Sequence, residues 1–213
     1  MRCRWPKMVL GLVVLSGAGP SCARPSDNPA TEPPPDSVLA RRDQIRAFWT
    51  RYRIATDLRI AGDSSAATAY RDALALNPDH EDALYYLGQM ELRLGHFAEA
   101  ERSWRGLARV NPQSSRPHSR LGSLYLCLAD GAPFQLDSAE AHFRRAHQIN
   151  PEETGPSLHL AEVALIRNDS AAATRYLADV LGSHTTNPTA HFYRGYLAWK
   201  RGDASAAEVA FRR

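Results

Sequence analysis

Residues 82–112 read DALYYLGQMELRLGHFAEAERSWRGLARVNP, and they contain the pattern on which the fold prediction depends. The stretch holds, in order, a small residue, a turn residue, a second small residue, an aromatic residue and a proline: Gly88, Gly95, Ala100, Trp104 and Pro112. Two antiparallel helices approach closely only where side chains are small, and a large aromatic side chain then fills the remaining space. Proline lacks an N–H group and marks the break before the next helix. The stretch therefore predicts two antiparallel helices joined near Gly95.

The same markers recur along the chain with one period. Asn-Pro occurs at 77–78, 111–112, 150–151 and 187–188, at spacings of 34, 39 and 37 residues. A small residue recurs at a similar period: Ala55, Gly88, Gly122, Ala161 and Gly195. In four of these five places a turn residue follows seven positions later: Gly62, Gly95, Asn168 and Gly202. Stacked helix pairs are indicated, because one pair alone buries only part of its apolar face.

This pattern resembles the tetratricopeptide repeat, in which W-x2-L-G-x2-Y is followed by A-x3-F and then P. Leu121-Gly122-x2-Tyr125 with Ala139-x3-Phe143 matches well, whereas Glu91 replaces the tyrosine of the unit quoted above. The resemblance covers about residues 48–213 and implies an all-α, right-handed solenoid of about five helix pairs. The expected repeats are 48–80, 81–114, 115–153, 154–187 and an incomplete unit at 188–213.

Two units depart from the regular spacing. The third carries about five extra residues around Ala129–Leu136, which we interpret as a longer loop between its two helices. In the fourth, Pro188 falls three residues late, which predicts a longer connection over Leu181–Asn187. Cys127 is interpreted as a small apolar residue on a helix.

The first 36 residues differ in composition from the remainder. Basic residues precede a short apolar run at Met8–Leu15 and a small, turn-prone segment, which is the order of a secretory signal, here predicted at 1–21. Cys22 then occupies the place of the lipidated cysteine of bacterial lipoproteins, with cleavage after Ala18 or Ala23 as the alternative. The proline-rich segment 22–36 is predicted to be an extended tether. The helical domain, 37–213, is thus expected in a bacterial cell envelope, at the outer membrane or the periplasmic face.

Composition excludes several classes of function. The sequence has 26 Lys and Arg against 23 Asp and Glu, and three of the basic residues lie in the predicted signal, so the body has no excess charge for nucleic acid. Three cysteines provide no disulfide framework. The eight histidines form no H-x3-H pair, and neither a phosphate loop nor a nucleophile elbow occurs. We therefore expect no enzyme activity, no cofactor and no metal site.

The family resemblance places a binding groove on the first helices of the pairs, three residues before, one after and four after each small marker. This rule gives fifteen positions: Tyr52, Thr56, Arg59, Tyr85, Gln89, Leu92, Ser119, Ser123, Leu126, Leu158, Glu162, Leu165, Phe192, Tyr196 and Trp199. Arg116 and Arg120 also resemble half of the clamp with which some members hold chaperone C-termini, although the asparagines of that clamp are replaced by Thr56 and Gln89. An exported protein would not meet those chaperones, so that function is discounted.

From these positions, with Arg120 added from the resemblance to the clamp, we select a candidate groove set: Tyr52, Tyr85, Gln89, Ser119, Arg120, Ser123, Glu162, Phe192, Tyr196 and Trp199. Aromatic and aliphatic groups rimmed by polar ones are typical of protein-binding surfaces. The groove set predicts binding of a protein or an extended peptide, without catalysis. For Phe192, Tyr196 and Trp199 the alternative is packing within the superhelix. A second functional hypothesis is a docking or regulatory arm of a larger enzyme whose catalytic domain lies beyond residue 213.

The last repeat stops within its second helix. Only Arg212 and Arg213 follow Phe211, whereas the other complete units continue to a closing Asn-Pro. Val209 and Phe211 are therefore expected to face water on a short helix, and solenoids need a polar terminal cap. We expect either that the native chain continues past residue 213 or that this edge associates with a second copy.

Overall fold

The structure, a computed structural model, describes residues 35–213, which form ten α-helices and no strand. The helices are α1 (Pro35–Ile60), α2 (Ala66–Leu74), α3 (Glu81–Arg93), α4 (Phe97–Val110), α5 (Ser115–Tyr125), α6 (Leu136–Ile149), α7 (Thr154–Ile166), α8 (Ser170–Ser183), α9 (Pro188–Lys200) and α10 (Ala204–Phe211). Each odd-numbered helix packs most extensively on the helix that follows it, and successive pairs stack on each other. The predicted all-α repeat of about five helix pairs is confirmed.

Small residues allow close contact inside the pairs. A Cβ added to Gly122 on α5 would lie 2.7 Å from the Phe143 ring on α6, and one added to Gly195 would lie 2.6 Å from the Phe211 ring. Trp104 occupies the same place against Gly88 and is completely buried. The markers read from the sequence are therefore the points of closest helix approach.

The turn residues inside the pairs adopt the left-handed conformation. Gly95 has a φ of +77° and Asn168 a φ of 60°, at equivalent places after α3 and α7. Glycine has no Cβ to clash at positive φ, and asparagine tolerates this region better than most residues. These turns are the reason for the recurring Gly or Asn.

The third unit has the predicted longer loop, but Cys127 does not lie on a helix. Helix α5 ends at Tyr125, and the loop runs to Gln135, whose backbone N–H donates to the Tyr125 carbonyl at 2.9 Å. Helix α5 ends three residues after its marker Gly122, whereas α3 extends five residues past Gly88. The insertion therefore ends the helix early and leaves Cys127, which is partly buried, in the loop.

The fourth unit contradicts the predicted long connection. Helix α8 continues to Ser183, so only residues 184–187 join it to α9, as few as residues 111–114 between α4 and α5. His184 ends α8 with φ −131° and ψ 81°, close to the −132° and 88° of Asn111 at the end of α4. Asn187 instead caps the start of α9 by accepting from the Ala190 N–H at 2.9 Å, and Pro188 is the first helical residue. This Asn-Pro is a helix-start signal and is not equivalent to the other three.

The first helix begins earlier than the repeat pattern suggests. It starts at Pro35, inside the segment predicted as tether, and reaches the predicted repeat start at residue 48 only after three turns. Proline is tolerated at the first helical position because the N–H group there has no helical acceptor. The predicted signal, Cys22 and nearly all of the tether lie outside the described residues. Within residues 35–213 no helix combines the length and apolar content needed to cross a bilayer.

Candidate functional site

The N-terminal part of the groove set lies in an aromatic cluster. Tyr52 stacks on Phe48 at 5.8 Å between ring centroids and contacts His80 at 4.9 Å and Tyr70 at 5.9 Å. Burial, and then the charge of Asp82, raise the pKa of the Tyr52 hydroxyl, so it remains protonated. Trp49 at the margin of this cluster is half exposed. Tyr52 is therefore mainly a packing residue, and Trp49 is the more accessible aromatic side chain.

The centre of the groove set joins Tyr85 to two arginines. Arg120 donates to the Tyr85 hydroxyl from Nε at 3.0 Å and from Nη2 at 2.7 Å. Arg116 lies over the Tyr85 ring, 3.9 Å from its centroid, and donates to Asp82 at 2.8 Å. Burial works against the charge of Arg116, but the hydrogen bond and charge of Asp82 outweigh it and raise its pKa. The cation on Arg116 is thus paired, whereas that on Arg120 has no carboxylate partner among the described residues.

Polar side chains between these arginines and α7 have unused hydrogen-bonding capacity. Gln89 is half-buried and makes no side-chain hydrogen bond within residues 35–213. Ser123 donates to the Ser119 carbonyl at 3.0 Å, whereas the buried Ser119 Oγ has no partner among the described residues. Buried polar groups normally have a partner, but the Ser119 Oγ is enclosed, so the partly exposed Gln89 amide is better placed to bond a partner outside the chain.

Glu162 is a structural residue of the groove set. Its two carboxylate oxygens accept from the Tyr193 hydroxyl at 2.9 Å and bond His159 Nδ1 at 2.7 Å. Burial would raise the pKa of Glu162, but the bonds to His159 and Tyr193 outweigh burial and lower it. Burial and the neighbouring carboxylate raise the pKa of Tyr193 to about 12. Both oxygens of Glu162 are therefore occupied within the solenoid.

The C-terminal part of the groove set is an exposed aromatic patch. Phe192, Tyr196 and Trp199 are 56%, 38% and 64% exposed on α9. Tyr196 and Trp199 lie 6.1 Å apart between ring centroids, and Phe192 lies 5.7 Å from Phe211 on α10. Of the two alternatives left by the sequence, the structure supports exposure over packing within the solenoid.

Helix α10 exposes the two apolar residues that the sequence predicted to face water. Val209 is 53% exposed and Phe211 is 49% exposed. The ring of Phe211 nevertheless packs on Gly195, as Phe143 packs on Gly122. The last pair therefore keeps the internal contact of the repeat while leaving an apolar outer surface.

Sequence reasoning missed several partners of the groove set. Asp82, His159 and Tyr193 hold Arg116 and Glu162, and Phe48 and Trp49 complete the N-terminal cluster. Tyr193 lies one position after Phe192, outside the positions taken from the family pattern. The feature of the sequence that could have indicated these partners was the density of aromatic residues beside the small-residue markers. In residues 35–213 no three His, Cys, Asp or Glu side chains form a group that could hold a metal ion.

Comparison with known proteins connects this geometry to a family. The family model described as tetratricopeptide repeat matches residues 52–114 and 158–213, together more than half of the chain. No curated protein matches in sequence. The solved structures show similarity in fold alone. The crystal structure of MamA has a TM-score of 0.67 and 18% identity, over 78% of this chain and 88% of that one.

Two further solved structures have the same fold. The pilF protein of Pseudomonas aeruginosa has a TM-score of 0.67 and 19% identity, over 79% of this chain and 75% of its own. YrrB, described as a TPR protein with an unusual peptide-binding site, has a TM-score of 0.62 and 17% identity, over 81% of this chain and 87% of its own.

Proposed function

Because this chain belongs to the tetratricopeptide repeat family, we propose that it is a non-enzymatic scaffold that binds an extended peptide or a partner protein through its groove set. The observation that carries the proposal is the exposed patch of Phe192, Tyr196 and Trp199. Aromatic side chains contribute large contact areas and dominate the energetics of many interfaces. The description of YrrB, a similar fold with a peptide-binding site, supports a peptide as the ligand class.

The centre of the groove favours a negatively charged segment of the partner. Arg120 has no carboxylate partner among the described residues, and the partly exposed Gln89 amide retains hydrogen-bonding capacity. A partner with an acidic or carbonyl-rich segment at Tyr85 and an apolar segment at Trp199 fits this distribution. Arg116 contributes less, because Asp82 already neutralises it.

Site-specific photo-crosslinking tests the groove. A photoreactive residue at Phe192 should crosslink one partner in native cells, whereas the same residue at exposed Arg175 on α8 should not. Trp199→Ala should then weaken the captured complex about tenfold, since losing a well-placed interface aromatic typically costs more than about 1 kcal/mol. Equal crosslinking from both positions, or an unchanged affinity of Trp199→Ala, would reject the groove as the binding surface.

We also propose that the protein is exported and anchored at the cell envelope by a lipid on Cys22. The basic start, the short apolar run and the proline-rich segment 22–36 support this location. Cys22→Ser should release the protein from the membrane fraction and lower its mass by the lipid. An unchanged mass and distribution would contradict lipidation without affecting the groove.

Self-association through the α10 edge is proposed as a second interaction. Val209 and Phe211 expose about half of their surface there. Light scattering of the purified chain should show a concentration-dependent mass that Val209→Ser reduces. A monomer mass that stays constant at all concentrations would exclude self-association through this edge.

A further inference from the structure

A second cleft lies between α4 and α6, with α5 forming its floor. Its volume is about 580 Å³, and its lining includes Arg102, Arg105 and Arg109 with His118, Leu121 and His142. None of these residues belongs to the groove set. On α5, His118 and Leu121 lie on the side opposite Ser119 and Ser123, because each residue advances about 100° around a helix. The cleft is therefore a surface separate from the proposed peptide groove.

The three arginines give the cleft an excess of positive charge. They follow each other at intervals of three and four residues, so they share one side of α4. Arg102 is paired with Glu99, and Arg105 is paired with Glu101 and donates to the Tyr125 hydroxyl at 3.0 Å. Arg109 forms no hydrogen bond or ion pair within residues 35–213. Its Nη2 atom lies close to Gly106 and Leu84, at the edge that this cleft shares with a neighbouring one, so the guanidinium must turn towards the floor to bind an anion there.

The two histidines form a pair on the floor. Their Nδ1 atoms lie 3.1 Å apart and their rings stack at 5.4 Å, a distance at which one Nδ1 donates to the other in the tautomer that shares a single proton. No hydrogen bond joins either Nε2 to another of the described residues, and both partly buried histidines line the cleft. A neutral pair of this kind offers one Nε2–H donor and one bare Nε2. One added proton gives it two donors and a positive charge.

The charged surroundings of the pair favour its neutral form. Burial, and then Arg145 on α6, lower the pKa of His118. Burial, His118 and Arg105 on α4 lower the pKa of His142 to about 4, against the opposing charge of Glu101 on α4. Tyr125 on α5 stacks on His142 at 5.6 Å. An anion in the cleft would offset the arginine charges and so favour protonation of the pair.

The corresponding cleft two repeats later has different chemistry. The places of Arg102, Arg105 and Arg109 are taken by Arg175, Ala178 and Gly182 on α8. The cleft there is lined by Leu177, Leu181 and Leu197 and also by Arg194 and Arg201, which lie on α9 or directly after it. Both clefts therefore contain basic residues, but the row of three arginines on the second helix of a pair is not required by the repeat.

We propose that the cleft between α4 and α6 binds the phosphoryl group of a small phosphate monoester, and that the His118–His142 pair takes up one proton from solvent when the dianion binds. A phosphate monoester carries about −1.5 to −2 charges and three acceptor oxygens, which suits an unpaired arginine beside further N–H donors. Ala108, which is partly exposed in the lining, provides apolar contact for the organic part, whereas Leu121 is buried beneath the floor. The Glu101 carboxylate does not oppose the anion strongly, because Arg105 and Tyr125 already bind it.

Titration calorimetry of the full chain with phenyl phosphate tests the proposal. Binding should be accompanied by proton uptake, measured in two buffers of different ionisation enthalpy, and should tighten as pH falls. Arg109→Ala should weaken binding about tenfold or more, since a hydrogen bond to a charged group contributes about 1.5–3 kcal/mol. Arg175→Ala, at an exposed arginine on α8 outside the cleft, is the control and should leave binding unchanged.

A second variant separates the anion site from general loss of structure. His142→Asn should retain weaker binding but abolish the proton uptake, with helicity by circular dichroism unchanged. Absence of phenyl phosphate binding, binding without proton uptake, or equal weakening by Arg109→Ala and Arg175→Ala would overturn the proposal. Retention by vesicles of phosphatidylglycerol and phosphatidylcholine, without affinity for phenyl phosphate, would also overturn it by assigning the cleft to a lipid headgroup.

Discussion

At the scale of single residues, the repeat depends on pairing one small residue with one large ring. Gly122 against Phe143 and Gly195 against Phe211 leave no space for a side chain at the glycine. Gly182 on α8, in contrast, has no atom within 4 Å of the position that a Cβ would take. The same substitution at these sites therefore has opposite consequences.

Gly122→Ala should lower the free energy of unfolding, whereas Gly182→Ala should leave it unchanged or raise it slightly. Overpacking typically costs about 1–3 kcal/mol, and alanine is favoured over glycine inside a helix by about 0.5–1 kcal/mol. Urea unfolding of both variants measures the difference. Equal free energies of unfolding would show that α5 and α6 move apart to accept the added methyl group without losing stability. That result would contradict the packing argument.

Glu91 replaces the family's tyrosine and is completely buried. Its carboxylate accepts from Arg71 on α2 and bonds His96 Nδ1 at 2.8 Å, so it ties two helix pairs together. Glu91→Gln should lower the free energy of unfolding by about 1–3 kcal/mol, because a buried, charge-assisted bond is weakened. Glu208→Gln breaks an exposed pair with Arg212 and should change stability by less than about 1 kcal/mol in a thermal melt. A similar effect of both substitutions would contradict this role of Glu91.

At the scale of elements, α5 and α6 differ most from the regular repeat. The loop between them ends α5 at Tyr125, and the partly buried His118–His142 pair joins the two helices. Because burial penalises a charged imidazole, this pair makes the stability of the two helices depend on pH.

His142→Asn should make the stability of the protein less dependent on pH. The pKa of His142 is about 4 when folded, against 6.5 as its ordinary value, so its contribution is fully present above pH 6.5 and is lost as pH falls towards 4. Urea midpoints at about pH 7 and about pH 5 should therefore converge in the variant. His118 keeps part of the slope, since burial lowers its pKa too. His184→Asn, at an exposed helix end, is the control, and an equal effect there would contradict the assignment.

At the scale of the whole molecule, contacts are local along the chain. Each helix packs on its immediate neighbours, with α3 also contacting α5, and the core consists of consecutive clusters. Stability in such solenoids is a sum of repeat and nearest-neighbour terms. The proposed peptide groove and the proposed basic cleft share α5, so a change on that helix can affect both, whereas a change at α9 or α10 should stay local.

Gly195→Ala should loosen only one end of the solenoid. A Cβ there would meet the Phe211 ring at 2.6 Å, and α10 packs on α9. Amide hydrogen exchange should accelerate in α9 and α10 and remain unchanged in α1 and α2. Uniform acceleration across all ten helices would show that the solenoid unfolds as a single cooperative unit.

The sequence by itself determined the helix pairs, their number and their points of close approach, because small residues, rings and left-handed turns act within one repeat. It misplaced the connection after α8, because Asn-Pro can either follow a helix or cap the next one and only packing selects between them. It misplaced Cys127 because the insertion in the third unit ends α5 at Tyr125. It predicted the groove positions and the two arginines beside them. It could not show that Arg116 and Glu162 have partners within the described chain whereas Arg120 has no carboxylate partner there. Those differences arise from Asp82, His159 and Tyr193, which lie on neighbouring turns or neighbouring helices. The basic cleft was likewise decided by tertiary structure, since stacking alone brings His118, His142 and the α4 arginines to one surface.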